Sequence, residues 1–241
     1  MNQLTENITL MANRENMYQL LGRIYKLEVD QTLLEHMLHM QFSNECSCSA
    51  TELEEGYRMF EAYLRQPKLD VLTELAVDYA SVFLGAGIAE GTVAYPYESV
   101  YTSTERLIMQ DARDKVLAIY REKGLDKNES LDIPEDHIGL ELEFMAYLCH
   151  EAKEALVLKD WDTASASLML QKSFLEQHLR NWVPEFCSDI QKCSQIDFYK
   201  AVGKMTNGYL LLDTQIIHYL GENMILGESE MGNECDAKDA S

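Results

Sequence analysis

The sequence predicts an all-α protein, a single-domain bundle of about eight to ten helices. Three observations predict it. Apolar residues recur at helical spacing through most of the 241 residues. Only 4 prolines and 12 glycines interrupt them, too few for the many turns of an all-β fold. Pro67, Pro96, Pro134 and Pro184 each stand where a helical pattern starts or stops. A hydrophobic content of 46% with 25% charged residues supplies an ordinary globular core, which excludes disorder for the bulk of the chain.

Each element follows from its own pattern. A first helix is expected over residues 9–27, with Leu10, Met17, Leu20, Leu21 and Ile24 on one stripe and Arg14, Glu15 and Arg23 off it. Asp30 can cap a short second helix through Met40, and a polar loop follows over residues 41–51. Thr51 and Glu54 have capping-box spacing and open a third helix to Arg65, which Pro67 ends. Asp70 precedes Val71, Leu72, Leu75, Ala76, Tyr79 and Phe83, the stripe of a fourth helix. Residues 85–103 are the least helical stretch, with Gly85, Gly87, Gly91 and Pro96; a loop this long in a helical domain usually serves a function. Helix is expected again from Ser103 or Thr104 to about Lys123, with Gly124 closing it. Pro134 is assigned to the first turn of the next helix, which Asp132 and Glu135 open at capping-box spacing and which runs to about Lys159. Ile138, Leu142, Met145 and Cys149 mark one stripe of it, and Leu140, Phe144 and Leu148 another, which puts it in the middle of the bundle. A helix over 162–179, a break at 182–184, a short helix and a long one over about 196–221 complete the fold. Residues 1–220 are expected to form one helical domain and 221–241 an acidic, flexible tail.

Charge and motif narrow the function. With 41 acids against 20 bases the net charge is −21, which repels nucleic acid and anionic membrane and suits a cationic partner. No segment approaches 18 uninterrupted apolar residues, so no membrane insertion is expected. The N-terminus has no basic stretch ahead of an apolar one, so the chain is expected in the cytoplasm with its six cysteines reduced. There is no phosphate-binding loop, dinucleotide fingerprint or nucleophile elbow. No glutamate has a histidine three residues on, which a di-iron carboxylate bundle requires. His36 with His39, and Cys46 with Cys48, are close pairs without a second pair at ligand spacing. No metal, cofactor or catalytic residue is assigned. A helical metal-binding or oxidoreductase bundle stands as the alternative, which a stoichiometric transition metal would identify.

What remains is binding chemistry. Asp136 and His137 begin the most apolar helix. Asp136 there is either a helix cap or a carboxylate for a cation. His137 either fills the core or lines a site, and Asp136 beside it would stabilise its charged form. Protonation near its ordinary pKa of about 6.5 would then weaken binding of a cation as pH falls. Tyr95, Tyr97 and Tyr101 are either loop packing or the wall of a peptide groove.

Three runs together resemble a known family. They are Pro96-Tyr97-Glu98-Ser99-Val100-Tyr101, then Pro134-Glu135-Asp136-His137-Ile138-Gly139-Leu140-Glu141-Leu142-Glu143-Phe144-Met145, then Phe174-Leu175 with His178, Leu179, Trp182, Val183, Pro184 and Phe186. With the helix end and glycine turn over 79–87, they resemble the TorD/DmsD family of redox-enzyme maturation chaperones. The likeness covers about residues 70–220. It implies an all-helical, non-catalytic, cytoplasmic chaperone, monomeric or homodimeric. Such a chaperone binds the twin-arginine signal peptide of a molybdenum-cofactor oxidoreductase, holds it until the cofactor is inserted, and in some members contacts the apoenzyme. Carried over to this sequence, the peptide site comprises Tyr79, Val82, Phe83, Pro96, Tyr97, Ser99, Tyr101, Asp136 and His137, with Leu140 and Glu141 on the same helix. Some members carry tryptophan where Tyr79 and Tyr97 stand, so a hydroxyl is added here to an otherwise flat apolar face.

Overall fold

A computed structural model describes residues 3–40, 51–86, 93–128 and 131–236. Within them the chain forms α1 (Gln3–Lys26), α2 (Gln31–His39), α3 (Thr51–Leu64), α4 (Val71–Phe83), α5 (Glu98–Thr102), α6 (Asp111–Glu122), α7 (Ile138–Leu158), α8 (Trp161–Phe174), α9 (Arg180–Cys193) and α10 (Asp197–Asp236). A π-helical turn, Leu175–Leu179, joins α8 to α9. The β structure among the described residues is one isolated antiparallel bridge, Tyr97 with His137. The fold is all-α, as the periodicity predicts, and no described helix is long and apolar enough to cross a membrane.

Local chemistry sets most boundaries. The carboxylates of Asp30, Asp70 and Asp160 accept the backbone N–H groups of Leu33, Thr73 and Thr163 at 2.8, 3.2 and 3.1 Å, starting α2, α4 and α8. Gly124 follows α6 in the left-handed region, φ 69°, where a Cβ would be strained. Four expectations differ. Residues 98–102 are helical inside the expected loop, and residues 103–110 are irregular where helix is expected. Arg106 and Met109 have φ of 52° and 62° there, which an α-helix cannot contain. Pro134 lies outside α7; His137 caps that helix, and its backbone N–H closes a turn onto the Pro134 carbonyl at 3.2 Å. No break occurs at Pro184, which lies inside α9. Proline removes one hydrogen bond and crowds the carbonyl four residues back, here that of Arg180. The last helix, α10, ends at Asp236. Cys46, Cys48, Gly87 and Gly91 lie outside the described residues.

α7 is the central helix. Ile138, Leu142, Met145 and Cys149 on one stripe and Leu140, Phe144 and Leu148 on the other are all buried. α1 packs along it and α8 covers a second face, while α3 packs on α10. Glycine permits the closest approach: a Cβ on Gly139 of α7 would stand 2.9 Å from Lys26 Cβ and 3.0 Å from the Gly22 carbonyl of α1. Similarly, a Cβ on Gly208 of α10 would meet the backbone N of Leu53 at 2.5 Å. One buried polar knot locks four helices. Arg14 donates from Nε to Asp213 Oδ1 at 2.5 Å, from Nη2 to Asp213 Oδ2 at 2.9 Å and from Nη1 to Gln171 Oε1 at 2.6 Å. Tyr18 donates to Asp213 Oδ2 at 2.6 Å, and Gln171 Nε2 donates to the Leu148 carbonyl at 3.0 Å. No group of three histidine, cysteine or acidic side chains among the described residues could hold a metal ion.

Candidate functional site

The loop ahead of α5 and the start of α7 are tied together by backbone pairing. Ile138 N–H donates to the Pro96 carbonyl at 2.9 Å and Glu98 N–H to the Asp136 carbonyl at 3.0 Å, on either side of the Tyr97–His137 bridge. The tyrosine and imidazole rings meet edge-on, 5.3 Å apart. The end of α4 joins the same assembly, because Ala94 N–H donates to the Val82 carbonyl at 2.9 Å.

Asp136 does not cap its own helix. Its Oδ2 accepts the backbone N–H of Ser99 at 2.9 Å, 37 residues away in sequence. Tyr97, at the N-cap of α5, has no side-chain capping bond, so Asp136 satisfies α5 from outside. The cap of α7 is His137, whose Nδ1 accepts Gly139 N–H at 3.0 Å. An accepting Nδ1 is unprotonated. Burial, with Lys26 nearby as the smaller cause, depresses the His137 pKa to about 3. The expected stabilisation of a charged His137 by Asp136 is therefore overturned: desolvation outweighs the neighbour, and the ring is neutral across the physiological range.

A second layer of acids lies behind this junction. Glu98 Oε2 and His178 Nδ1 are 2.8 Å apart, both buried. Glu141 Oε2 accepts from Trp182 Nε1 at 3.1 Å. Glu141 is fully buried, and burial first, then Glu98 and Asp136, push its carboxyl well above the usual range. Burial likewise raises Asp136, against the bonds from Ser99 that lower it. Among the described residues, Asp136 Oδ1 and Glu141 Oε1 are buried without a hydrogen-bond partner.

The structure brings Pro96, Tyr97, Ser99, Asp136 and His137 into one junction and sets Glu141 behind it. Tyr101 stacks on Trp182 with ring centres 5.5 Å apart, and its hydroxyl donates to Asp189 Oδ2 at 3.3 Å. Tyr79, Val82 and Phe83 belong to the adjoining core: the Phe83 ring contacts those of Tyr25, Tyr79, Phe186 and Tyr199. The Tyr79 hydroxyl donates to the Tyr25 carbonyl at 2.9 Å, so the group that tryptophan would lack satisfies the end of α1. All the named residues except Tyr97 and Tyr101 are buried, Leu140 included. Glu98, His178 and Trp182 join the site here; each stands inside a run that carries the resemblance, which does not itself assign them to it. A pairing such as Glu98 with His178, 80 positions apart, has no sequence spacing to betray it.

Comparison with known proteins identifies the family. The family model described as nitrate reductase delta subunit matches residues 47–188. The chaperone protein TorD of Vibrio cholerae serotype O1 is 28% identical over 158 residues, 64% of this chain and 67% of that protein. TorD of Photobacterium profundum is 28% identical over 173 residues, covering 71% and 76%. TorD of Shewanella pealeana is 24% identical over 213 residues, covering 84% and 88%. These relatives are named as chaperones and not as enzymes. With the family model matching more than half of its length, the chain belongs to the nitrate reductase delta subunit family, the TorD/DmsD-type redox-enzyme maturation chaperones.

Proposed function

We propose that this chaperone acts in the cytoplasm on a molybdenum-cofactor oxidoreductase, binding its twin-arginine signal peptide and holding it until the cofactor is in place. The observation that carries the reading is convergence. The three runs of the resemblance lie far apart in sequence, yet Ser99 meets Asp136, Glu98 meets His178, and Glu141 meets Trp182. Core packing alone does not require three carboxyls at one place, since each is costly to bury. A ligand of two arginines followed by an apolar run suits such a place. The net charge of −21 steers the arginines, carboxylates pair with guanidinium groups, and aromatic rings cover the apolar part.

Calorimetric titration with the leader peptides of the host's molybdoenzymes tests the proposal. The expected result is binding of one peptide per chain, weakening as salt is raised. Absence of binding to every such leader would overturn the function. Binding indifferent to salt would remove the electrostatic part alone.

A further inference from the structure

The layer behind the junction borders, through Glu98 and His178, a solvent-facing cleft of about 600 Å³, also lined by Ser103, Glu105, Asp111 and Lys115 among others. Three acids thus face one lysine. Among the described residues no ion pair engages Glu105 or Asp111. The Ser103 hydroxyl is buried in the wall without a hydrogen-bond partner.

Beside the cleft, Leu107, Ile108 and Met109 stand out of the protein, 53%, 48% and 54% exposed. Three consecutive exposed apolar residues are costly to leave in water, and the backbone around them is built to keep them there. Arg106 and Met109, at φ 52° and 62°, occupy a region that side chains other than glycine rarely adopt. Arg106 Nη2 is held 3.0 Å from Glu185 Oε1. Gln110 N–H donates to Ser99 Oγ at 3.1 Å, and Gln110 Nε2 to the Ile108 carbonyl at 3.0 Å. Ser99 is itself the residue whose N–H Asp136 accepts. A chain of bonds therefore runs from the buried Asp136 through Ser99 and Gln110 to this exposed strip.

We propose that the arginine pair of the leader enters the cleft, against Glu98, Glu105 and Asp111, while its apolar run lies on Leu107, Ile108 and Met109. The inference rests on the reading above that the ligand is a twin-arginine leader. It moves the contact surface outward from the residues singled out in sequence. Asp136, fully buried, becomes a positioning residue that acts through Ser99 and Gln110. The occupant follows from complementarity: an acidic recess bordered by an apolar strip matches a cationic pair bordered by an apolar run.

The test uses the full chain and two synthetic peptides, one with both arginines and an apolar run of about a dozen residues, the other with both arginines replaced by glutamine. Leu107→Ser/Ile108→Ser/Met109→Ser should weaken both peptides about tenfold or more. Glu105→Gln/Asp111→Asn should leave the glutamine peptide unchanged and reduce the preference for the arginine peptide about three- to tenfold. Met169→Ser, which removes an exposed apolar side chain on α8, should change neither. If the wild type binds and both cleft variants bind like it, the cleft assignment is overturned while the leader-binding function stands. If the wild type binds neither peptide nor any host leader, both fall. Melting curves verify folding; where the triple variant is unstable, Ile108→Ser alone replaces it, with a proportionate loss expected.

Discussion

Two buried polar clusters in this molecule are built to opposite plans. In the Arg14 knot, one guanidinium faces one carboxylate, and Tyr18, Gln171 and the Leu148 carbonyl extend the network. In the cluster around α5, three carboxyls, those of Glu98, Asp136 and Glu141, meet one imidazole and one indole, and two carboxyl oxygens have no partner among the described residues. Both are desolvated. The first is complete and binds α1, α7, α8 and α10 into a frame. The second is short of donors and adjoins an open cleft. A network with a surplus of acceptors suits a place that receives a cation, whereas a closed one suits a place that must not move.

The sharpest way to break the contrast is to remove Arg14. Arg14→Ala leaves Asp213 buried without its cation and should cost about 3–5 kcal/mol in urea unfolding. Binding per folded molecule should be unaffected, because the knot does not touch the cleft. Asp136→Ala should cost less, about 1–3 kcal/mol, since it strips the acceptor from one buried N–H, that of Ser99. Unlike the first variant, it should also weaken leader binding, by loosening Ser99 and with it Gln110. A variant that loses stability and keeps wild-type affinity would reduce Asp136 to a structural cap.

The effect of Glu141→Gln vanishes at low pH, and its size depends on pH. Burial and the neighbouring acids raise the folded-state pKa of this carboxyl well above its ordinary 4.5. The native state therefore binds more protons than the unfolded one once pH exceeds that value. Wild-type stability from this group is fully present below it and is lost as pH rises toward the raised folded pKa. Glutamine keeps an acceptor for Trp182 and has no proton to lose. The variant should match the wild type near pH 4 and exceed it in stability at pH 7, by a margin that grows as pH rises. Equal pH profiles would show that Glu141 is ionised in the fold.

Sequence alone carried the helical class, because apolar periodicity is a local property that each helix repeats. It also carried the cap at Asp30, where acceptor and donor lie three residues apart; Asp160, two residues ahead of the helix read over 162–179, caps in the same way. The resemblance picked out the segments that form the junction. Tertiary structure alone decided what those residues do there. Asp136 looks like a cap for its own helix until the fold presents it with the free N–H of another, and His137 looks chargeable until burial removes its water. The strained segment 103–110 also escaped local reading: its side chains follow a helical pattern, while Ser99 from another part of the chain holds the Gln110 backbone N–H and Glu185 holds the Arg106 side chain. Desolvation and long-range hydrogen bonds depend on which segments meet in space, and no spacing along the chain encodes that meeting.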